Sequence, residues 1–153
     1  MISFQDQVDL SQCPWPEWVK QDFRDQRGNG CVGQVLAAES ERARVWHLNV
    51  PPGERIPFHT HVLDYFWTCI SGGRARSHVA LNEKFEIAEW SLKPGSTRFE
   101  QYLAGTFKIH DLQNTGDIAL VFVTVEFLDS GNAPLEIPAS VRMSQHDGAL
   151  HAA

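Results

Sequence analysis

Gly53-Glu54-Arg55-Ile56-Pro57-Phe58-His59-Thr60-His61 is the stretch on which the reading of the chain turns. It follows a break at Pro51-Pro52 and closes on two histidines with one residue between them. On a β-strand, residues i and i+2 point to the same face. His59 and His61 can therefore grip one ion from one side, neutral imidazole being a common ligand for first-row metals. His110 lies in a second alternating segment. It completes a facial set of three nitrogens if the two strands face each other.

The flanking sequence is punctuated like an all-β domain. Residues 44–50 alternate, with Trp46, Leu48 and Val50 on one face, and Pro51-Pro52-Gly53 breaks the run. Residues 64–70 are aromatic and apolar, and Ser71-Gly72-Gly73 stops them, with Gly72-Gly73 reading as a hairpin turn. Residues 74–81 alternate again, and 84–89 follow with Phe85 and Ile87 together. Lys93-Pro94-Gly95 is a turn, 106–112 alternate, Asn114-Thr115-Gly116-Asp117 turns, and 118–128 form a long apolar strand. Short strands at this spacing, with Gly, Pro and Asn between them, predict a sandwich or barrel. Strand–helix alternation is missing, which argues against a parallel α/β sheet.

Before the strands, Trp15, Trp18, Val19 and Phe23 recur at helical spacing, Pro16 suits a first turn, and Gly28-Asn29-Gly30 ends the pattern. The expectation is an amphipathic helix over 14–27, its aromatic stripe packed on the body or on a partner subunit. The chain then divides into an arm and helix (1–40), a barrel (41–128) and a tail (129–153). An edge strand near Leu135-Glu136-Ile137 and a mobile end over 146–153 are expected in the tail.

Composition excludes several classes. At 153 residues and 17.2 kDa, with 42% hydrophobic and 21% charged residues, the chain is sized and composed for one domain with a real core. No run approaches the length of a membrane span, and no basic start leads into an apolar stretch, so neither a bilayer helix nor a secretory signal is expected. A net charge of -6 and a pI near 5.6 repel polyphosphate and anionic lipid, so the expected partners include no nucleic acid and no membrane. Cys13, Cys31 and Cys69 are odd in number and form no C-x-x-C pair. They read as small apolar residues in a reducing cytoplasm rather than a disulfide frame.

The histidine stretch resembles the cupin family. Its first motif runs G-x5-H-x-H-x(3,4)-E-x6-G. Gly53, His59, His61 and Gly72 match it, and Tyr65 stands at the Glu position with Asp64 just before. Its second motif runs G-x5-P-x-G-x2-H-x3-N. Gly95, His110 and Asn114 match, Gln101 replaces the proline, and Gly105 fits the next glycine with four residues before His110 instead of two. The resemblance covers roughly 43–128. It implies a double-stranded β-helix or jelly-roll barrel, a homodimer, and one divalent metal ion per chain held inside by His59, His61 and His110.

Loss of the Glu removes the anionic ligand that the motif normally supplies. Three neutral imidazoles leave a divalent ion with its full charge and with open positions, which favours a chelating anionic substrate. Three-His members of the family include oxygenases. The reading is therefore a metal-dependent small-molecule enzyme. Iron(II) and dioxygen cleavage of a chelating anion come first; zinc, nickel or manganese in an isomerase or lyase stays open, because imidazoles discriminate weakly among these metals. A non-catalytic metabolite-binding module is the alternative, since fold does not fix function.

Around the triad, Tyr65 reads either as a proton-donating or orienting group, placed as a catalytic candidate, or as a core aromatic. Asp64 is an alternative fourth ligand, against which strand parity argues, and a barrel that has lost its metal is the third option. Trp67 and Cys69 continue the Tyr65 face as pocket wall or core. Lys108 shares parity with His110 and binds a substrate anion or, the favoured reading, sits in water at the mouth. Gln101 and Glu100 lie near the pocket. Asn114 reads as a turn residue. His47, His78, His146 and His151 read as structural or solvent-exposed.

Overall fold

The computed structural model describes residues 4–143. Its strands are β1 (Val35–Glu39), β2 (Ala43–Val50), β3 (Arg55–His61), β4 (Tyr65–Ser71), β5 (Gly73–Leu81), β6 (Lys84–Leu92), β7 (Thr97–Glu100), β8 (Lys108–Asn114) and β9 (Leu120–Phe127), preceded by helix α1 (Glu17–Asp25). They form two sheets, ordered β1-β2-β9-β4-β7 and β3-β8-β5-β6, with every pairing antiparallel. From β2 onward the chain passes back and forth between the sheets, with β5–β6 the one adjacent pair within a sheet. This is the jelly-roll winding of a double-stranded β-helix.

Alternation sets what lies inside. In β2 the buried positions are Arg44, Trp46, Leu48 and Val50, and in β9 they are Leu120, Phe122, Thr124 and Glu126. One core fills the space between the sheets, with Trp46, Leu48, Ile56, Cys69, Leu120 and Phe122 in contact. A second core lies on the outer face of the four-stranded sheet, where Trp15, Val19 and Phe23 pack on Phe58, Ala80 and Ile109. Burying a large apolar side chain is worth about 1.5–3 kcal/mol, so this second cluster fastens the N-terminal segment to the body of its own chain.

Several expectations are corrected. The helix is shorter than 14–27, because Pro16 occupies its N-cap and Trp15 precedes it. Trp18 lies off the buried stripe, 56% exposed, with the Arg55 guanidinium over its ring. Gly72-Gly73 is a corner between sheets rather than a hairpin, since β4 and β5 do not pair. A Cβ on Gly72 would lie 2.5 Å from the Leu92 carbonyl oxygen, so the chain can turn here only without a side chain. The true hairpin is β5–β6, where Asn82 and Glu83 both take positive φ, the geometry of a two-residue turn matched to sheet twist. Leu135-Glu136-Ile137 is not a strand; among the described residues the tail makes a single parallel bridge, Leu36 to Arg142. The expected mobility of 146–153, and the roles given to His146 and His151, lie outside the described residues.

Candidate metal centre

Pro57 decides where the histidines point. Proline cannot donate to a sheet ladder, so it is confined to edges and bulges. Here it has both: β3 is an edge strand, and its register against β8 slips between Ile56 and His59. The slip leaves Ile56 in the inner core while Phe58 joins the outer one, and it turns His59 and His61 inward. His59 then pairs directly with His110 of β8.

The three rings converge. His110 Nε2 is 3.1 Å from His59 Nε2 and 2.9 Å from His61 Nε2. His59 Nδ1 is 2.9 Å from the Pro57 carbonyl oxygen, which can only accept, so Nδ1 carries the proton and Nε2 presents its lone pair. His110 Nε2 holds at most one proton, which can serve only one of its two neighbours. One cation serves all three nitrogens. Burial, then the neighbouring imidazoles and the Lys108 charge, hold His61 and His110 well below the ordinary histidine range, and burial pushes His59 down to about 4. The set is therefore neutral at physiological pH, as metal ligation requires. Two nitrogens 2.9–3.1 Å apart, each about 2.1 Å from one ion, subtend roughly 90° there, which suits a facial set. His59, His61 and His110 thus form a cluster that could hold a divalent metal. Their donor set fits one with a single blemish: His61 Nδ1 is buried without a partner, and the ring is fixed instead by stacking on Tyr65 at 4.0 Å.

Tyr65 and Lys108 stand beside the triad. Tyr65 is inside, 2% exposed, and its hydroxyl accepts a 2.6 Å hydrogen bond from Lys108 Nζ. Burial holds the phenol well above its ordinary range, so it stays protonated. Lys108 is not in water at the mouth: its side chain is 12% exposed, and burial brings it down to about 8, opposed by Glu100 at 3.8 Å. The cost of that burial is met by the Tyr65 oxygen and Glu100.

The triad faces a cavity of about 520 Å³, whose lining includes Tyr65, Trp67, Glu100, Gln101, Tyr102 and Lys108. Trp67 and Gln101 are therefore on its wall. Asp64 is engaged elsewhere, its Oδ1 accepting the Tyr102 backbone N–H at 2.8 Å, so it anchors the loop after β7 and leaves the ion to the imidazoles. Asn114 is buried and donates to the Val50 and Ile118 carbonyls while accepting from Gly116, a turn clasp.

Two residues beside the site, one buried behind it and one on its wall, escape a reading of motifs. Glu126 is 3% exposed and directly opposite Tyr65 in the β4–β9 register; its Oε1 accepts from Trp46 Nε1 at 2.7 Å, and burial pushes it up to about 7. Arg98 lies over the Trp90 ring and pairs with Glu100, closing the gap between the free edges β6 and β7. The inward parity of Leu120, Phe122, Thr124 and Glu126 is the signal that could have found the first. The second has none, since β7 is four residues long and shows no clear alternation.

No family model matches the chain, and no curated protein does. Among solved structures, the chain is similar to a cupin domain from Bordetella pertussis Tohama I, at 24% identity over 59% of this chain and 85% of that one, with a TM-score of 0.47. It is similar to a conserved protein with a double-stranded β-helix domain from Klebsiella pneumoniae, at 28% identity over 65% and 73%, TM-score 0.46. A Bacillus halodurans structure aligns more widely, over 86% and 89%, at 16% identity and TM-score 0.48. The chain's own features are the two motif spacings, the winding between two antiparallel sheets, and the inward histidines on β3 and β8. By these it has a double-stranded β-helix fold and resembles the cupins.

Proposed function

We infer that the protein is a metal-dependent enzyme acting on a small chelating anion, with His59, His61 and His110 holding one divalent ion. The convergence of three neutral Nε2 atoms on the wall of a deep cavity carries this reading. A bound ion supplies Lewis-acid polarisation of a substrate oxygen and, as iron(II), reducing power toward dioxygen. The three imidazoles fix its position. They bring no negative charge, so the anion that balances it must come from the substrate. Lys108 adds a cation next to the triad, and the Tyr65 hydroxyl, held by Lys108, belongs to the ring stacked on His61. Tyr65 is thus the candidate for donating a hydrogen bond or a proton to bound substrate.

Iron(II) with oxygenolytic cleavage is the first choice, and zinc, nickel or manganese in an isomerase or lyase step the second. We place the chain in the reducing cytoplasm, where three unpaired thiols are stable; no helix among the described residues is long and apolar enough to cross a membrane. A homodimer would cover the outer face of the five-stranded sheet, where Ile70 and Phe99 are exposed. The test is untagged protein purified without oxygen, reconstituted with iron(II), and assayed for oxygen uptake with a panel of 2-oxo acids and enolisable ketones. Uptake that vanishes in His110→Ala supports the oxygenase. Stoichiometric metal with no uptake, but with isomerised or cleaved product, moves the assignment to the second choice. Binding with no turnover under any metal leaves a metabolite-binding module.

A further inference from the structure

The cavity does not end at the three histidines. Strand register layers its wall. Lys108, His61 and Leu81 share one level of the four-stranded sheet, with Tyr65 stacked on His61 from the opposite sheet. His59 and His110 form the next level, and Ile56 and Leu112 the one below. The facing sheet descends in parallel, from Tyr65 to Trp67 beside Thr124, then to Cys69 and Leu48 beside Phe122. The cavity reaches these lower levels: Leu48, Trp67, Trp90, Leu92, Leu112 and Phe122 all line it. The ring of Trp67 meets those of Phe122 and Trp90 edge to face, at 5.7 and 6.4 Å. Apart from Ser77 at the Leu112 level and the Arg98 guanidinium over Trp90, the polar lining groups lie at the triad and above it, and the space beneath is a mainly apolar chamber walled by aromatic rings.

The entrance lies at the other end. The β5–β6 hairpin and the loop after β7 contribute Leu81, Asn82, Leu103 and Thr106 to the lining, and Leu81 is level with Lys108. Leu103 is 81% exposed there. An occupant entering from this side must pass Lys108 and the triad before it reaches the chamber. Its apolar end goes in first, and its oxygen-bearing group comes to rest beside the imidazoles and Lys108. A volume of about 520 Å³ suits a ring with a short side chain and leaves space for solvent.

The geometry points to a substrate that is an amphipathic anion: a chelating head, such as a 2-oxo carboxylate or an enolate, joined to an aromatic or branched aliphatic body that occupies the chamber below the triad. The head's position rests on the metal reading above; the body's does not. Highly hydroxylated or phosphorylated sugars are disfavoured, because the chamber rings would leave their hydroxyls unpaired.

The test uses one head and three tails: pyruvate, 4-methyl-2-oxopentanoate and phenylpyruvate, titrated calorimetrically into the zinc-loaded protein, in which no redox turnover intrudes, and into the metal-free protein. Affinity should rise along the series in both forms, by at least ~10-fold from pyruvate to phenylpyruvate, as expected for burying a ring. The loaded protein should bind every member more tightly than the metal-free one. In Trp90→Ala, a change on the edge strand β6, the gain for phenylpyruvate should shrink several-fold with pyruvate unaffected. Equal constants for all three ligands in both forms would overturn the substrate class while leaving the metal reading intact. Failure to take up zinc, with the ring preference retained, would overturn the metal reading and leave the chamber's occupant assigned.

Discussion

The two faces of the four-stranded sheet both bury histidine, and they do opposite things with it. On the outer face, under α1, His78 Nδ1 lies 3.0 Å from Asp111, which also accepts the His78 backbone N–H at 2.6 Å and Arg55 Nε at 2.8 Å; Arg55 reaches on to Asp22 at 2.7 Å. Each charge there has an opposite charge in contact, and the network joins α1 to β3, β5 and β8. On the inner face no carboxylate among the described residues meets the three rings, and their lone pairs face one another. Buried polarity that is mutually satisfied acts as a fastening. Buried polarity that converges unsatisfied is a place for something else to bind.

The sharpest way to break this comparison is to remove Asp111. Asp111→Ala leaves Arg55 and the His78 N–H without their acceptor, and should cost about 3–5 kcal/mol in urea unfolding, while the fraction that remains folded still takes up one metal ion. Equal stability in the variant would mean that the outer network fastens nothing.

Next in size is the pH response of Glu126. Burial raises its carboxyl to about 7 in the folded chain, against an ordinary value of 4.5. Between those values the native state keeps a proton that the unfolded chain has lost, so folding takes up a proton. This group's stabilisation is therefore complete below pH 4.5 and is lost as pH rises through about 7, by a total of order 3 kcal/mol. Glu126→Gln should flatten that decline and make the protein more stable than wild type at pH 8. A decline that survives the substitution would place its origin elsewhere.

Smaller again is the effect of the inner histidines on stability without metal. His110→Ala removes a ring with no carboxylate partner, so metal-free unfolding should shift by less than ~1.5 kcal/mol, well below the Asp111 effect. The least change comes from Trp18→Ala, where an exposed ring loses one cation–π contact with Arg55, worth about 0.5–1 kcal/mol. Trp15→Ala, in the buried cluster, should cost several times that.

Much of this was legible in the residues. Period-two alternation in 44–50 and 74–81 found strands, and the His-x-His spacing found two of the triad, because both signals are local; His110, some fifty residues on, was joined to them by the resemblance of its segment to the second motif. What was missed depends on long-range register. The Gly72-Gly73 corner looks like a hairpin because glycine marks any tight approach, and only the sheet order shows that β4 and β5 part. Trp18 has the right spacing for the helical stripe, but Pro16 starts the helix later and rotates it outward. Lys108 reads as solvated from its charge alone; its partners, Tyr65 and Glu100, come from strands far away in sequence. Glu126 belongs to no motif, and its neighbour Tyr65 is set only by the β4–β9 pairing.

Calorimetric titration of untagged, metal-free protein with zinc(II) tests the central claim most directly. Wild type should bind one equivalent per chain, and His59→Ala, His61→Ala and His110→Ala should each weaken that binding by more than ~100-fold while Asp111→Ala retains it. Sub-stoichiometric uptake by wild type, or uptake unchanged in all three histidine variants, would contradict the account.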